Sequence, residues 1–101
     1  MIKIGKISDI PEGEGRVLRL RDAEIAVFRL ESGVAAIDNR CPHHAGPLAD
    51  GIVAGDLVVC PLHGHKFNLK TGESLGDDER IKTYPVLVDG DEIFIKDGFA
   101  E

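Results

Sequence analysis

The sequence is short of several things. It has no tryptophan, one tyrosine, one methionine and only two cysteines in 101 residues. Two cysteines are too few for a disulfide-stapled scaffold. Positive charge is also scarce: 12 Lys and Arg against 18 Asp and Glu give a formal net charge of −6. That balance argues against nucleic acid or an anionic membrane as a partner, and suits docking onto a basic protein face. No apolar run exceeds a few residues, so no transmembrane helix is expected. The opening residues Met1 to Ile7 alternate apolar and polar and lack the apolar core of a signal peptide. A cytoplasmic protein is expected. There is no apolar pattern at helical spacing, no glycine-rich phosphate loop and no paired acid and base, so no catalysis is expected from this chain alone.

What is present reads as β-structure. Ile2, Ile4 and Ile7 mark an opening strand, followed by a Pro- and Gly-bearing turn over 9–15. Strands are expected over 16–20, 24–30 and 34–37, with turns at 21–23 and 31–33. The stretch 41–55 is loop-rich. Strands are then expected over 57–59 and 65–69, with a stop at 70–73 and a charged loop over 75–80. Tyr84 to Val88 reads as a strand with Pro85 at an edge or bulge, and Asp89-Gly90 as the turn of a closing hairpin with 92–96. The fold class is all-β: two or three stacked antiparallel sheets, sandwich- or barrel-like, forming a single domain over 1–101.

Both cysteines fall in paired motifs, Cys41-Pro42-His43 and Cys60-Pro61-Leu62-His63, with residues 44–59 between them. Two Cys and two His satisfy tetrahedral zinc, and a structural zinc module for protein binding is one reading. Zinc fingers, however, pair like ligands at Cys-x₂₋₄-Cys and His-x₃₋₅-His spacing, whereas here each loop carries one of each. The second reading is a binuclear [2Fe–2S] cluster with two Cys on one iron and two His on the other, straddled by the two loops. The spacing fits this arrangement specifically. Pro42 and Pro61 stiffen the loops, and Gly46 and Gly64 allow backbone close to an inorganic centre. A nucleophilic cysteine with a His partner is a third reading, and it leaves the duplicated Cys-Pro pattern unexplained.

Residues 41–48 (Cys-Pro-His-His-Ala-Gly-Pro-Leu), 60–64 (Cys-Pro-Leu-His-Gly) and 66–73 resemble the cluster-binding loops and following strand of Rieske proteins. This resemblance implies a small cluster-binding subdomain of two loops at about 39–75. Cys41 and Cys60 would hold one iron, and His43 and His63 the other. The flanking stretches 13–16, 25–28, 36–40, 76–79 and 82–86 are most similar to the small subunit of NAD(P)H-dependent assimilatory nitrite reductase. The implied partner is then that enzyme's large sirohaem and flavin subunit. The alternative is the free ferredoxin of a ring-hydroxylating dioxygenase system, working between a flavin reductase and an oxygenase. Those ferredoxins tend to carry a proline in the loop matching Leu75 to Arg80, where this chain has none. In the other direction, nitrite reductase subunits often have an aromatic residue where this chain has His65. Respiratory Rieske proteins carry an extra cysteine in each loop, at the positions of Gly46 and Leu62 here.

The resemblance implies a one-electron carrier with His43 and His63 at an exposed tip. Imidazole in place of thiolate raises the potential of Rieske clusters to between about −150 and +300 mV. Phe67 cannot donate the hydrogen bond that a hydroxyl in its place would give, so a value toward the lower end is expected. His44 and His65 are expected to be surface residues beside the loops. Leu48, Pro47 and Leu62 are candidates for an apolar collar or for plain packing.

Overall fold

The computed structural model describes residues 2–20, 23–40, 47–61, 64–76 and 78–95. The strands are β1 (Ile2–Lys6), β2 (Gly15–Leu20), β3 (Ala23–Leu30), β4 (Gly33–Asp38), β5 (Ile52–Ala54), β6 (Leu57–Val59), β7 (Lys66–Asn68), β8 (Ser74–Leu75), β9 (Thr83–Tyr84), β10 (Val86–Asp89) and β11 (Glu92–Ile95). Single 3₁₀ turns occupy Ile7–Asp9 and Leu48–Asp50. Every strand pair is antiparallel, in three sheets: β1-β11-β10, β2-β3-β4-β9 and β5-β6-β7-β8.

The sheets stack on β3. Side chains alternate across a strand, and here both sets are apolar. Ala26, Phe28 and Leu30 enter a core with Leu48, Val58, Cys60, Phe67 and Leu69, beneath the β5–β8 sheet. Ile25 and Val27 enter a second core with Ile10, Tyr84, Ile93 and Ile95, beneath the β1-β11-β10 sheet. The middle sheet is thus covered on both faces. Its strand reads as a continuous apolar run rather than a strict alternation, as doubly buried strands do. The all-β expectation of stacked antiparallel sheets holds.

Three local expectations differ. The stretch read as loop over 41–55 contains β5 and the turn before it, and Leu75, read as loop, ends β8. These strands are three and two residues long, and Ile52 and Leu75 are exposed, so they carry no periodic signal. Tyr84 to Val88 is not one strand. Pro85 breaks it, leaving β9 on β4 and β10 on β11. Proline has no N–H for a ladder, so the chain changes sheets there.

The turn between β7 and β8 is fixed locally. The Asn68 side-chain oxygen accepts the Lys70 and Thr71 N–H groups at 2.8 and 3.1 Å. Gly72 then donates to the Asn68 carbonyl at 2.7 Å and accepts from Ile81 at 2.8 Å, with φ at +80°. A Cβ there would collide with the Ile81 carbonyl. Gly13 has the same φ of +80° with nothing near its missing Cβ. Gly13→Ala should therefore carry only the left-handed backbone cost of roughly 1–2 kcal/mol. Gly72→Ala adds the collision and should lower the melting temperature by on the order of 10 °C or more. Paired thermal unfolding of the two variants checks this; equal shifts would contradict the close packing of Gly72 against residue 81.

Candidate metal centre

The second motif begins where β6 ends. Val58, fully buried, anchors that strand on the core, and Cys60 follows at 1% exposure among Leu48, Val58 and Phe67. The Cys60 N–H donates to the His65 carbonyl at 2.7 Å, and its carbonyl accepts from Gly64 N–H at 3.0 Å. The loop from 60 to 65 is thus closed by its own main chain. Gly64 takes a φ of +72°, which a side chain would disfavour. With both backbone groups of Cys60 engaged, its sulfur is the group left for a ligand. Cys60 is not in a disulfide.

The first motif leaves from the end of β4. Arg40 and Pro47 form an isolated antiparallel bridge that brings the ends of 41–46 together. The returning chain packs on the strand that delivers Cys60. Leu48 is fully buried in the same core, and a Cβ at Gly51 would strike the Val59 carbonyl. Leu48 and Gly51, which follow the first motif in the chain, therefore pack against β6, the strand that leads into the second.

Of the predicted ligands, Cys60 is described; Cys41, His43 and His63 lie outside the described residues, as do His44, Gly46 and Leu62. Among the described residues no group of three or more His, Cys, Asp or Glu could hold a metal ion. A buried cysteine on a glycine-bearing loop closed by its own backbone fits a soft thiolate ligand to iron or zinc. Several neighbours can now be placed. His65 is half-buried rather than a surface residue. Phe67, fully buried beneath Cys60, offers no hydroxyl. Leu48 is core packing, and Pro47 is exposed. Asn39, at the exit of β4, was noted in sequence only within a flanking stretch of the resemblance. It is the only buried amide or charged side chain among the described residues. An amide closing an apolar strand just before a ligand loop is the signal that could have singled it out.

The stretch before the first motif is electrostatically loaded. Burial pushes the Asp38 carboxyl above its ordinary range, against the pull of the Arg40 and Lys82 cations. Lys82 Nζ in turn sits 5.1 Å from the centroid of the Tyr84 ring.

Comparison with known proteins agrees with this geometry. Residues 1–96 match the family described as the Rieske-like [2Fe-2S] domain. The ferredoxin subunit of 3-phenylpropionate/cinnamic acid dioxygenase from Shigella flexneri is 40% identical over 93 residues, covering 88% of this chain and 86% of that protein. A ferredoxin solved in complex with the oxygenase of carbazole 1,9a-dioxygenase superimposes with a TM-score of 0.85 at 28% identity, covering 94% and 100% of the two chains. A Mycobacterium tuberculosis protein assigned as an NADH-dependent nitrite reductase small subunit superimposes with the same TM-score of 0.85 at 26% identity, covering 92% and 90%.

Asp38 gives a pH test of the β4 exit. Its folded pKa lies above the ordinary value of 3.8, so the folded state holds the proton more tightly than the unfolded chain does. The stability that this supplies at low pH is lost as pH rises through the folded value. Asp38→Asn should therefore be more stable than the parent at pH 7, and the difference should close as pH falls below 3.8. Urea unfolding of both proteins across this range checks the sign.

Proposed function

Because this chain belongs to the Rieske-like [2Fe-2S] domain family, we propose that Cys41 and Cys60 ligate one iron of its cluster and His43 and His63 the other. The protein is a Rieske-type electron-transfer ferredoxin. The cluster, when bound, takes up and releases one electron at a time. The chain's own contribution is position: β6 delivers Cys60 from the core, and main-chain bonds tie Cys60 to Gly64 and His65.

Within that function, the protein serves as the small subunit of an NAD(P)H-dependent nitrite reductase, passing electrons toward reduction of nitrite to ammonia. What carries this reading is the segment after the second motif. There Ser74 N–H donates to the Glu79 carbonyl at 3.0 Å and Glu73 bridges Arg80, closing a short acidic loop with no proline. A dioxygenase ferredoxin is expected to carry a proline in that loop. In this reading the protein works in the cytoplasm with a large sirohaem and flavin subunit.

A second reading has its own observation. Relatives at 36% and 40% sequence identity are ferredoxins of dioxygenase systems. Under it, the chain passes electrons from a flavin reductase to an oxygenase. NAD(P)H-dependent nitrite consumption by a sirohaem-flavin large subunit should rise when the purified chain is added. Stimulation of an oxygenase and its flavin reductase, with none of nitrite reduction, would establish the second reading instead.

The ligand set has a separate check. The purified chain should be red-brown with visible absorption bands; a colourless zinc protein would refute the cluster. Cys60→Ala and His63→Ala should each abolish the bands, whereas His44→Ala and His65→Ala should retain them. The redox midpoint should fall toward the low end of the Rieske range of about −150 to +300 mV, and a value well above zero would contradict the expected effect of Phe67.

A further inference from the structure

We propose that Asn39 is the positioning residue of the first cluster loop, a side-chain clasp for a segment whose counterpart is closed by main-chain bonds from Cys60. The inference rests on the reading that Cys41 and His43 are ligands. Asn39 is 3% exposed. Its N–H donates to the Glu24 carbonyl at 2.8 Å, which fixes it to the start of β3. Its carbonyl accepts the Leu48 N–H at 2.7 Å, and its side-chain Oδ1 accepts the Ala49 N–H at 2.8 Å. Residue 39 thus holds two successive amides on the far side of the loop, while residues 40 and 47 pair between them.

The two loops are closed by different chemistry. The bonds from Cys60 to Gly64 and His65 run backbone to backbone and need no particular side chain as acceptor. At the first loop one of the two bonds from residue 39 depends on the amide itself. The Ala49 N–H that it accepts is in a buried position, at 9% residue exposure, with the fully buried Leu48 beside it. Without Oδ1, that donor has lost its acceptor away from water, a costly state for a backbone N–H. The relief open to the chain is to let residues 48–50 move off residue 39, and this loosens the base of the loop that bears Cys41 and His43. An isosteric carboxylate can still accept the bond but buries a charge, so Asn39→Asp should keep more of the clasp than Asn39→Ala.

The test uses the full chain with its cluster. Loss of visible absorption is followed in excess chelator well below the melting temperature, together with the visible circular dichroism spectrum. Asn39→Ala should release the cluster roughly tenfold faster than the parent, as expected for orphaning one buried N–H, and its dichroism should change. Asn39→Asp should release the cluster more slowly than Asn39→Ala, since its acceptor remains, and faster than the parent, since it buries a charge. Ile93→Ala, in the other core, should lower the melting temperature and leave cluster release unchanged. Release from Asn39→Ala at the parent rate, or equal acceleration in Ile93→Ala at equal destabilisation, would overturn the clasp. Should Asn39→Ala not fold, Asn39→Ser, whose hydroxyl falls short of Ala49, takes its place with the same expectations. A parent chain that takes up no cluster would overturn the ligand reading instead. In that case amide exchange at Leu48 and Ala49 reads the clasp directly: faster exchange in the variant supports it, and unchanged exchange overturns it.

Discussion

The burial of β3 on both faces is the constraint on which the structure depends. Phe28 and Ile25 lie one turn of the pleat apart in sense, on opposite sides of one strand, and both are fully buried. Each therefore needs a covering sheet, and the two covers come from different parts of the chain. The terminal strands β1, β10 and β11 close one side, and the excursion from residue 48 to 75 closes the other. Because the second cover contains β6, the cysteine at its end is pinned by the same core that stabilises the fold. Cofactor site and hydrophobic core are one packing problem here: Cys60 is itself a core residue.

That coupling explains why the centre was legible in the sequence while parts of its scaffold were not. The proposed ligands stood out because metal chemistry restricts residue type and spacing, and the two motifs, separated by residues 44–59, hold the chain's two cysteines. β2, β3 and β4 were visible because each has enough residues to show a pattern. β5 and β8 were not, since a strand of two or three residues has no period. Their outward residues add to the difficulty: Ile52 is 72% exposed, so an apolar side chain there reports a surface rather than a core. The division at Pro85 was half-visible. Proline announced that the ladder must stop, but the pairing of β9 with β4 and β10 with β11 depends on the stacking of whole sheets. The role of Asn39 was hidden for a similar reason. Its partners Leu48 and Ala49 are close only after the loop has closed.

The fold is shared by a dioxygenase ferredoxin and a nitrite reductase small subunit, so it cannot name the partner. Discrimination has to lie in residues that the cluster does not use. Ile52, Val59, Lys66 and Leu75 are successive register partners across the β5–β8 sheet, and therefore share its outer face. Val59 adjoins Cys60 and Lys66 adjoins His65, so this row borders the second cluster loop. The opposite row, Val53, Val58, Phe67 and Ser74, turns inward onto the core. One face of the sheet is thus fixed by packing, and the other is free to vary without cost to the cluster. The same division holds for the acidic loop after β8, whose ends are joined by main-chain bonds and the Glu73–Arg80 ion pair while Asp78 and Glu79 are exposed. A scaffold organised in this way can exchange partners by surface substitution while its redox centre stays constant, and this is why sequence identity and loop composition can favour different partners for one and the same fold.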